Sequence, residues 1–306
     1  MEHQTTIKSP FTLSGPGLHT GKFTHATVCP APAGSGITIR RTDLTPHVDI
    51  PALAGNVLDT NHGTTIGIGT ATVSTIEHMM SALHGMQVDN ALVEVDGPEV
   101  PILDGSARLW VDQINSVGIA QLEEERCYLR IESRIEWRDE KHNIELVAEP
   151  SDTFEVRSTI EFDSALIGSQ TAEIDDIGCY ENEFAKCRTF VFLHEVEALL
   201  AHNLIKGGDL DNALVFVDKP LGDDEKQRLA TLFGKDKNSI RVHNGVLNTI
   251  EPYFANEPAR HKLLDFIGDI YLVGAPLKGR FTLRCPGHHA NTELAKKICN
   301  CYKTNR

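Results

Sequence analysis

The stretch Arg260-His-Lys-Leu-Leu-Asp-Phe-Ile-Gly-Asp-Ile-Tyr-Leu-Val-Gly274 constrains this chain more than any other. Its apolar residues Leu263, Leu264, Phe266, Ile267, Ile270 and Tyr271 recur at helical spacing. Pro258 stands where a helix starts and Gly274 where one stops. A helix this apolar is buried on most sides, so the chain is organised around it. Against that background His261, Asp265 and Asp269 repeat at i, i+4 and i+8 and share one face. Carboxylates are seldom buried unless they are paired or hold a metal. An imidazole and a carboxylate one turn apart can grip one ion. A surface His–Asp pair is the plainer alternative, and two ligands do not make a site.

The rest of the chain limits what that helix can serve. Its 306 residues are enough for two domains, and 41% hydrophobic with 24% charged residues is an ordinary globular balance. No apolar run approaches the ~18 residues that span a membrane. The N-terminal Met1-Glu-His-Gln-Thr-Thr6 lacks the basic-then-apolar shape of a signal peptide, so a cytoplasmic location is expected. A net charge of -14 argues against nucleic-acid binding, and an anionic substrate would need locally concentrated basic groups. The 7 cysteines are odd in number, scattered and without a C-x-x-C, which is neither a disulfide framework nor a cysteine zinc site. That usage suits a reducing compartment, and any metal must be held by His and carboxylate. Nothing in the sequence calls for an obligate protein partner.

Periodicity predicts short strands at 6–13, 25–29 and 37–41, then a polar loop, Asn61-His-Gly-Thr-Thr65. A helix is expected from the capping box Ser74-Thr-Ile-Glu77 to about residue 83, followed by a strand at 89–96 and a helix at 107–117. The second half repeats this order. Residues 143–149 before Pro150 match 25–29 before Pro30, and 154–162 match 37–41. Asp211-Asn-Ala-Leu-Val-Phe-Val-Asp218 shares seven of eight residues with Asp89-Asn-Ala-Leu-Val-Glu-Val-Asp96. A helix at 195–203 precedes the second copy, and Ala259-Arg260 echoes Ala107-Arg108. The expectation is an α+β fold of two domains of similar topology, 1–122 and 127–306, each a β-sheet layered with two helices. The charged run 122–126 would be a solvated linker between them, and 219–250 a surface insertion.

Glu77-His78 falls on the first helix among Ile76, Met79, Met80 and Leu83, and the repeat puts Leu199-Leu200 in its place. Glu77 as a capping residue and His78 as a core histidine are the alternatives to chemistry. If this helix faces the 260–274 helix, His78, His261 and Asp265 form two imidazoles and a carboxylate with an open fourth position. That is the pattern of catalytic rather than structural zinc, which acidifies a water and polarises a carbonyl. Glu77, next to a ligand, would accept the proton. A leaving amine needs a donor, and Gly287-His288-His289, in a loop after the 280–284 strand, offers one that Asp269 could orient. An exposed bystander is the alternative there. Cys187-Arg-Thr-Phe190 adds a hydroxyl at Thr189, or merely a strand threonine.

Taken together these motifs resemble the zinc-dependent UDP-3-O-acyl-N-acetylglucosamine deacetylase family of lipid A synthesis. The resemblance rests on Gly15-Pro-Gly-Leu-His-Thr-Gly-Lys22, Val73-Ser-Thr-Ile-Glu-His78, Asp89-Asn90, Asp96-Gly-Pro-Glu-Val-Pro-Ile-Leu-Asp-Gly-Ser106, Cys187-Arg-Thr-Phe190, Gly207-Gly208, Arg260-His-Lys-Leu-Leu-Asp-Phe-Ile-Gly-Asp269 and Gly287-His288, in family order over nearly the whole chain. It implies Zn2+ held by His78, His261 and Asp265, Glu77 as general base, His288 as general acid supported by Asp269, and Thr189 at the oxyanion. It also implies Lys262, Phe190 and Gly208 as contacts to a UDP-linked acylated glucosamine. Each domain would carry an inserted subdomain, the second a β-α-β unit at about 191–217 forming an apolar passage for the acyl chain. The loop 61–65 has no cysteine where some members place one, 219–250 is longer than the family leads one to expect, and His288-His289 replaces a more familiar His-Ala. Some members continue into a dehydratase domain. Two other readings stay open: a zinc amidohydrolase acting on a different acylated sugar, and a non-catalytic binder of a nucleotide-linked glycolipid, which would need neither Glu77 nor His288.

Overall fold

The computed structural model describes residues 2–196, 206–209, 212–247 and 251–302. Two mixed sheets frame it, with the same strand order. The first runs Phe11–Pro16, Phe23–Pro30, Ala91–Val95, Ile37–Arg41, Val48–Pro51. The second runs Ile135–Asp139, Ile144–Glu149, Leu277–Arg284, Phe154–Glu161, Ser169–Ile174, with Leu129–Arg130 added beside Leu277. In each path every neighbour is antiparallel except one pair, Ile37–Arg41 with Ala91–Val95 and Phe154–Glu161 with Leu277–Arg284. Side chains alternate across the pleat, so Leu277, Gly279, Phe281 and Leu283 are buried while Arg280, Thr282 and Arg284 face solvent.

Four helices hold the centre: α1 (Glu77–Gly85), α2 (Arg108–Val117), α3 (Glu257–Ile270) and α4 (His288–Tyr302). All of α1 is buried, and all of α3 except Arg260 and Lys262. Pro258 sits in the first turn of α3, where its missing N–H costs nothing. After α3 a single 3-10 turn, Tyr271–Val273, ends on Gly274 in the left-handed conformation. The two buried helices touch backbone to backbone. A methyl group at Gly268 would stand 2.1 Å from the Glu77 carbonyl oxygen, so only glycine admits this crossing. Ser81 Oγ donates to Leu264 O at 2.8 Å, and His84 Nδ1 lies 2.9 Å from Ile267 O. One hydrophobic core runs from Ile39 and Val93 through Met79 and Phe266 to Phe281. Among the described residues no helix is long and apolar enough to cross a membrane.

The α+β expectation and the paired topology hold, but the register of the repeat does not. The counterpart of Ala91–Val95 is Leu277–Arg284, the strand with the same place and pairings. Leu214–Phe216, despite its near-identical sequence, belongs to a separate small sheet in the order Phe190–Phe192, Leu214–Phe216, Val246–Leu247, Val242–His243. Likewise α3 answers to α1, and α4 to α2, so Ala259-Arg260 is not the equivalent of Ala107-Arg108. The expected helix at 195–203 lies mostly outside the described residues, although 193–196 are helical. The pair Phe190–Phe192 and Leu214–Phe216 is parallel, as a β-α-β unit requires. The segment 219–247 is no loose surface insertion. Its strands complete that sheet, and Leu229, Ala230, Ile240 and Leu247 share a second small core with Val215 and Val217. The first half carries its own insert, a three-stranded sheet of Val57–Asp59, Thr65–Ile68 and Ala71–Val73.

Three local expectations also change. The single strand at 6–13 is two, broken at Lys8-Ser-Pro10, and His3–Ile7 pairs antiparallel with Ile119–Glu125. The charged run at 122–126 is therefore mostly strand rather than linker, and Arg126 leaves solvent to bond Asp89 Oδ1 at 2.9 Å. No capping box forms at Ser74. The N-cap of α1 is Ile76, Ser74 Oγ turns to Pro98 O, and the Glu77 carboxylate reaches elsewhere. Gly287-His288-His289 is not a loop, because His288 is the first residue of α4.

Candidate active site and metal centre

His78 is the second residue of α1, and His261 and Asp265 lie one turn apart on α3. The close crossing at Gly268 brings them together, with one ligand atom of each within 4.8 Å of the others. His78 Nε2 and His261 Nε2 stand 3.5 and 3.3 Å from Asp265 Oδ1, and the rings meet edge to face at 5.0 Å. All three side chains are buried. Asp265 Oδ1 has no hydrogen-bond partner, an arrangement that costs free energy unless something else neutralises that oxygen. A carboxylate oxygen left bare between two imidazole nitrogens fits a divalent cation. His261 Nδ1 is 3.1 Å from Cys187 O, which assigns its proton to Nδ1 and leaves the Nε2 lone pair facing Asp265. Burial, with His78 and Lys262 nearby, pushes His261 down to about 3, so it stays neutral and able to ligate. Burial alone would raise the Asp265 carboxyl, but the Lys262 ammonium beside it holds it well below its usual value. Lys262 Nζ donates to Asp265 Oδ2 at 2.9 Å.

Around this group stand the other residues picked out by sequence. Glu77 is buried, and its Oε2 accepts from Thr64 N at 3.0 Å. Gly63 leaves room beside it, since a methyl there would meet Glu77 Oε1 at 3.0 Å. His288 Nδ1 bonds Asp269 Oδ2 at 2.9 Å, and its Nε2 lies 3.9 Å from Asp265 Oδ2. Burial works against charge on this ring, yet Asp269, Glu77 and Asp265 raise it to about 9. The neighbouring His289 is exposed and packs edge-on against Trp137 at 5.7 Å, away from the group. Thr189 enters just before the strand Phe190–Phe192, anchored by its N–H to Gly105 O and its carbonyl from Leu214 N, both 2.8 Å.

These side chains open onto a cavity of about 540 Å3. Glu77, His78, Thr189, His261, Lys262, Asp265 and His288 line it, together with the apolar Phe190, Val191, Val196, Val215 and Phe233, and Gly208. A carboxylate, a cationic imidazole, a candidate metal site and an apolar wall thus share one space. Such a set can activate a water, protonate a leaving group and bind an alkyl chain. Sequence reasoning missed Thr64, whose hydroxyl donates to Asp269 Oδ1 at 2.6 Å, and Asn291, whose Nδ2 donates to Asp269 Oδ2 at 2.9 Å. It also missed His19 and His62, which line the cavity. The polar loop 61–65 was a signal for His62 and Thr64, but Asn291 lies on the unforeseen α4.

The family model described as UDP-3-O-acyl N-acetylglycosamine deacetylase matches residues 4–237 and 225–300. A bifunctional enzyme LpxC/FabZ of Porphyromonas gingivalis is 45% identical over 305 residues, which cover 100% of this chain and 66% of that protein. A UDP-3-O-acyl-N-acetylglucosamine deacetylase of Anaeromyxobacter sp. is 39% identical over 297 residues, covering 97% of this chain and 88% of the relative. One from Geobacter sp. is 39% identical over 307 residues, covering 99% and 92%. The chain thus spans about two thirds of the bifunctional relatives and most of the single-function ones.

Proposed function

Because the chain belongs to the UDP-3-O-acyl N-acetylglycosamine deacetylase family, we propose that it hydrolyses the acetamide of UDP-3-O-acyl-N-acetylglucosamine to the free amine and acetate, a step of lipid A synthesis. The observation that carries this reading is the bare Asp265 Oδ1 between His78 Nε2 and His261 Nε2, facing a cavity that also holds Glu77 and His288. His78, His261 and Asp265 are the proposed zinc ligands. Bound there, zinc supplies a Lewis acid for the amide carbonyl and lowers the pKa of water. Glu77 takes the proton from the attacking water, with Thr64 N–H fixing its Oε2. The Thr189 hydroxyl steadies the carbonyl oxygen as it gains negative charge. His288, held protonated beside Asp269, gives its proton to the departing nitrogen.

Lys262 is assigned to the polar part of the substrate, a local cation in an acidic protein, and Phe190 and Gly208 to its sugar and acyl contacts. The apolar wall of Val191, Val196 and Val215 suits the acyl chain, each buried CH2 contributing ~0.8 kcal/mol. Residues 1–122 and 127–306 are then two domains that contribute Glu77 and His78 on one side and His261, Asp265 and His288 on the other. A cytoplasmic location follows from a nucleotide-linked substrate. The test is zinc per chain together with acetate released from the UDP-linked substrate, for wild type and for His78→Ala. Zinc near one per chain, and loss of both metal and acetate release in the variant, are expected. A variant retaining full zinc and full activity would remove His78 from the ligand set.

A further inference from the structure

We propose that Thr64 is a positioning residue that couples the proton acceptor to the proton donor, an inference that rests on the roles given above to Glu77 and His288. Thr64 is wholly buried where the insert of the first half meets α1 and α3. Its backbone faces α1, with Thr64 N donating to Glu77 Oε2 at 3.0 Å and Thr64 O accepting from Ile76 N at 3.4 Å. Its side chain faces α3, with Oγ1 donating to Asp269 Oδ1 at 2.6 Å. Asp269 Oδ2 takes the remaining two donors, His288 Nδ1 and Asn291 Nδ2, both at 2.9 Å and both from α4. The carboxylate is thereby held on both oxygens from two elements besides its own. The terminal torsion of an aspartate is soft, so a carboxylate gripped at one oxygen can swing. Gripped at both, it presents Oδ2 to His288 in one orientation, and the imidazole turns its Nε2 toward Asp265 and the cavity. One residue thus fixes Glu77 through its main chain and His288 through its hydroxyl.

This division makes the role separable by mutation. Thr64→Val keeps the main-chain bonds to Glu77 and Ile76 and the side-chain shape, and removes only the donor to Asp269. Thr64→Ser keeps that donor. The expected loss in Thr64→Val is about 10–100-fold in kcat, the scale of outer-shell changes, with KM within about twofold of wild type and zinc per chain unchanged. Thr64→Ser keeps most of the rate. In a His288→Ala background Thr64→Val adds less than about twofold, because the group it positions is gone. Thr64→Ala, which leaves room at Asp269 Oδ1, replaces the valine variant if that one is poorly folded. Independently of turnover, the hydrogen-bonded His288 Nδ1–H resonance in proton NMR is expected to shift or vanish in Thr64→Val and to remain in Thr64→Ser. Equal losses with and without His288, a loss that follows zinc content or unfolding midpoint, or an unmoved resonance would each overturn the proposal. Absence of acetate release from the wild-type chain would instead overturn the proposed function, leaving the resonance to decide on Thr64.

Discussion

The crossing of α1 and α3 makes a sharp demand on residue 268. A Cβ built there lies 2.1 Å from Glu77 O, 3.0 Å from Glu77 C and 3.0 Å from Ser81 N, where ordinary contact begins at 3.4 Å. All three atoms are main chain, so no rotamer change relieves the clash. In Gly268→Ala the two helices must separate by about 1 Å at their crossing, and overpacking of a filled core costs about 1–3 kcal/mol. The separation falls between His78 on one helix and Asp265 with His261 on the other, about one and two turns from Gly268. The variant is therefore expected to lose stability and, beyond that, to bind zinc about 10–100-fold more weakly, as a shifted ligand frame does. Urea unfolding of the metal-free chain measures the first, and zinc retention against a competing chelator the second. Gly55→Ala is the control, since a methyl there meets nothing within 4 Å. If Gly268→Ala unfolds at the wild-type urea midpoint and keeps its zinc, the close crossing is not what assembles the ligands.

Two further outcomes are expected. His288→Ala should keep its zinc and lose ~10²–10⁴ in kcat, while His289→Ala, exposed beside Trp137, stays near wild type; the reverse pattern in a steady-state assay would move the acid by one residue. His84, buried and stacked on Tyr271 at 4.3 Å, is pushed down to about 4 by burial. Unfolded, it titrates near ~6.5, so the unfolded chain binds its proton first and stability falls as pH drops from about 6.5 toward 4. Urea midpoints of wild type and His84→Gln should diverge least at pH 4 and most above pH 6.5, and parallel curves would refute this assignment.

Much of α3 is legible in the sequence alone. Its apolar period, the proline at its start and the glycine after its end are local signals, and a helix of known period puts His261, Asp265 and Asp269 on one face whatever surrounds it. The alternating strands 37–41 and 154–161 are legible for the same reason, and their repeated order announces two sheets of one topology. Where a strand sits in a sheet is a different kind of fact. Asp89–Asp96 and Asp211–Asp218 read almost alike because each contains a short apolar strand, Ala91–Val95 and Leu214–Phe216, yet the partners of those strands differ, and partners are chosen by hydrogen bonds between segments far apart in the chain. Ser74-Thr-Ile-Glu77 spells a cap, but Glu77 has a buried main-chain donor at Thr64, and that long-range bond outweighs the local one. His288 at the start of α4 and the hydroxyl of Thr64 carry no periodic signal at all. Composition and pattern determined which residues were fit for metal and proton chemistry. Only the crossing of α1 and α3 at Gly268, which brings His78 against partners 183 and 187 positions away in the sequence, decided that they meet.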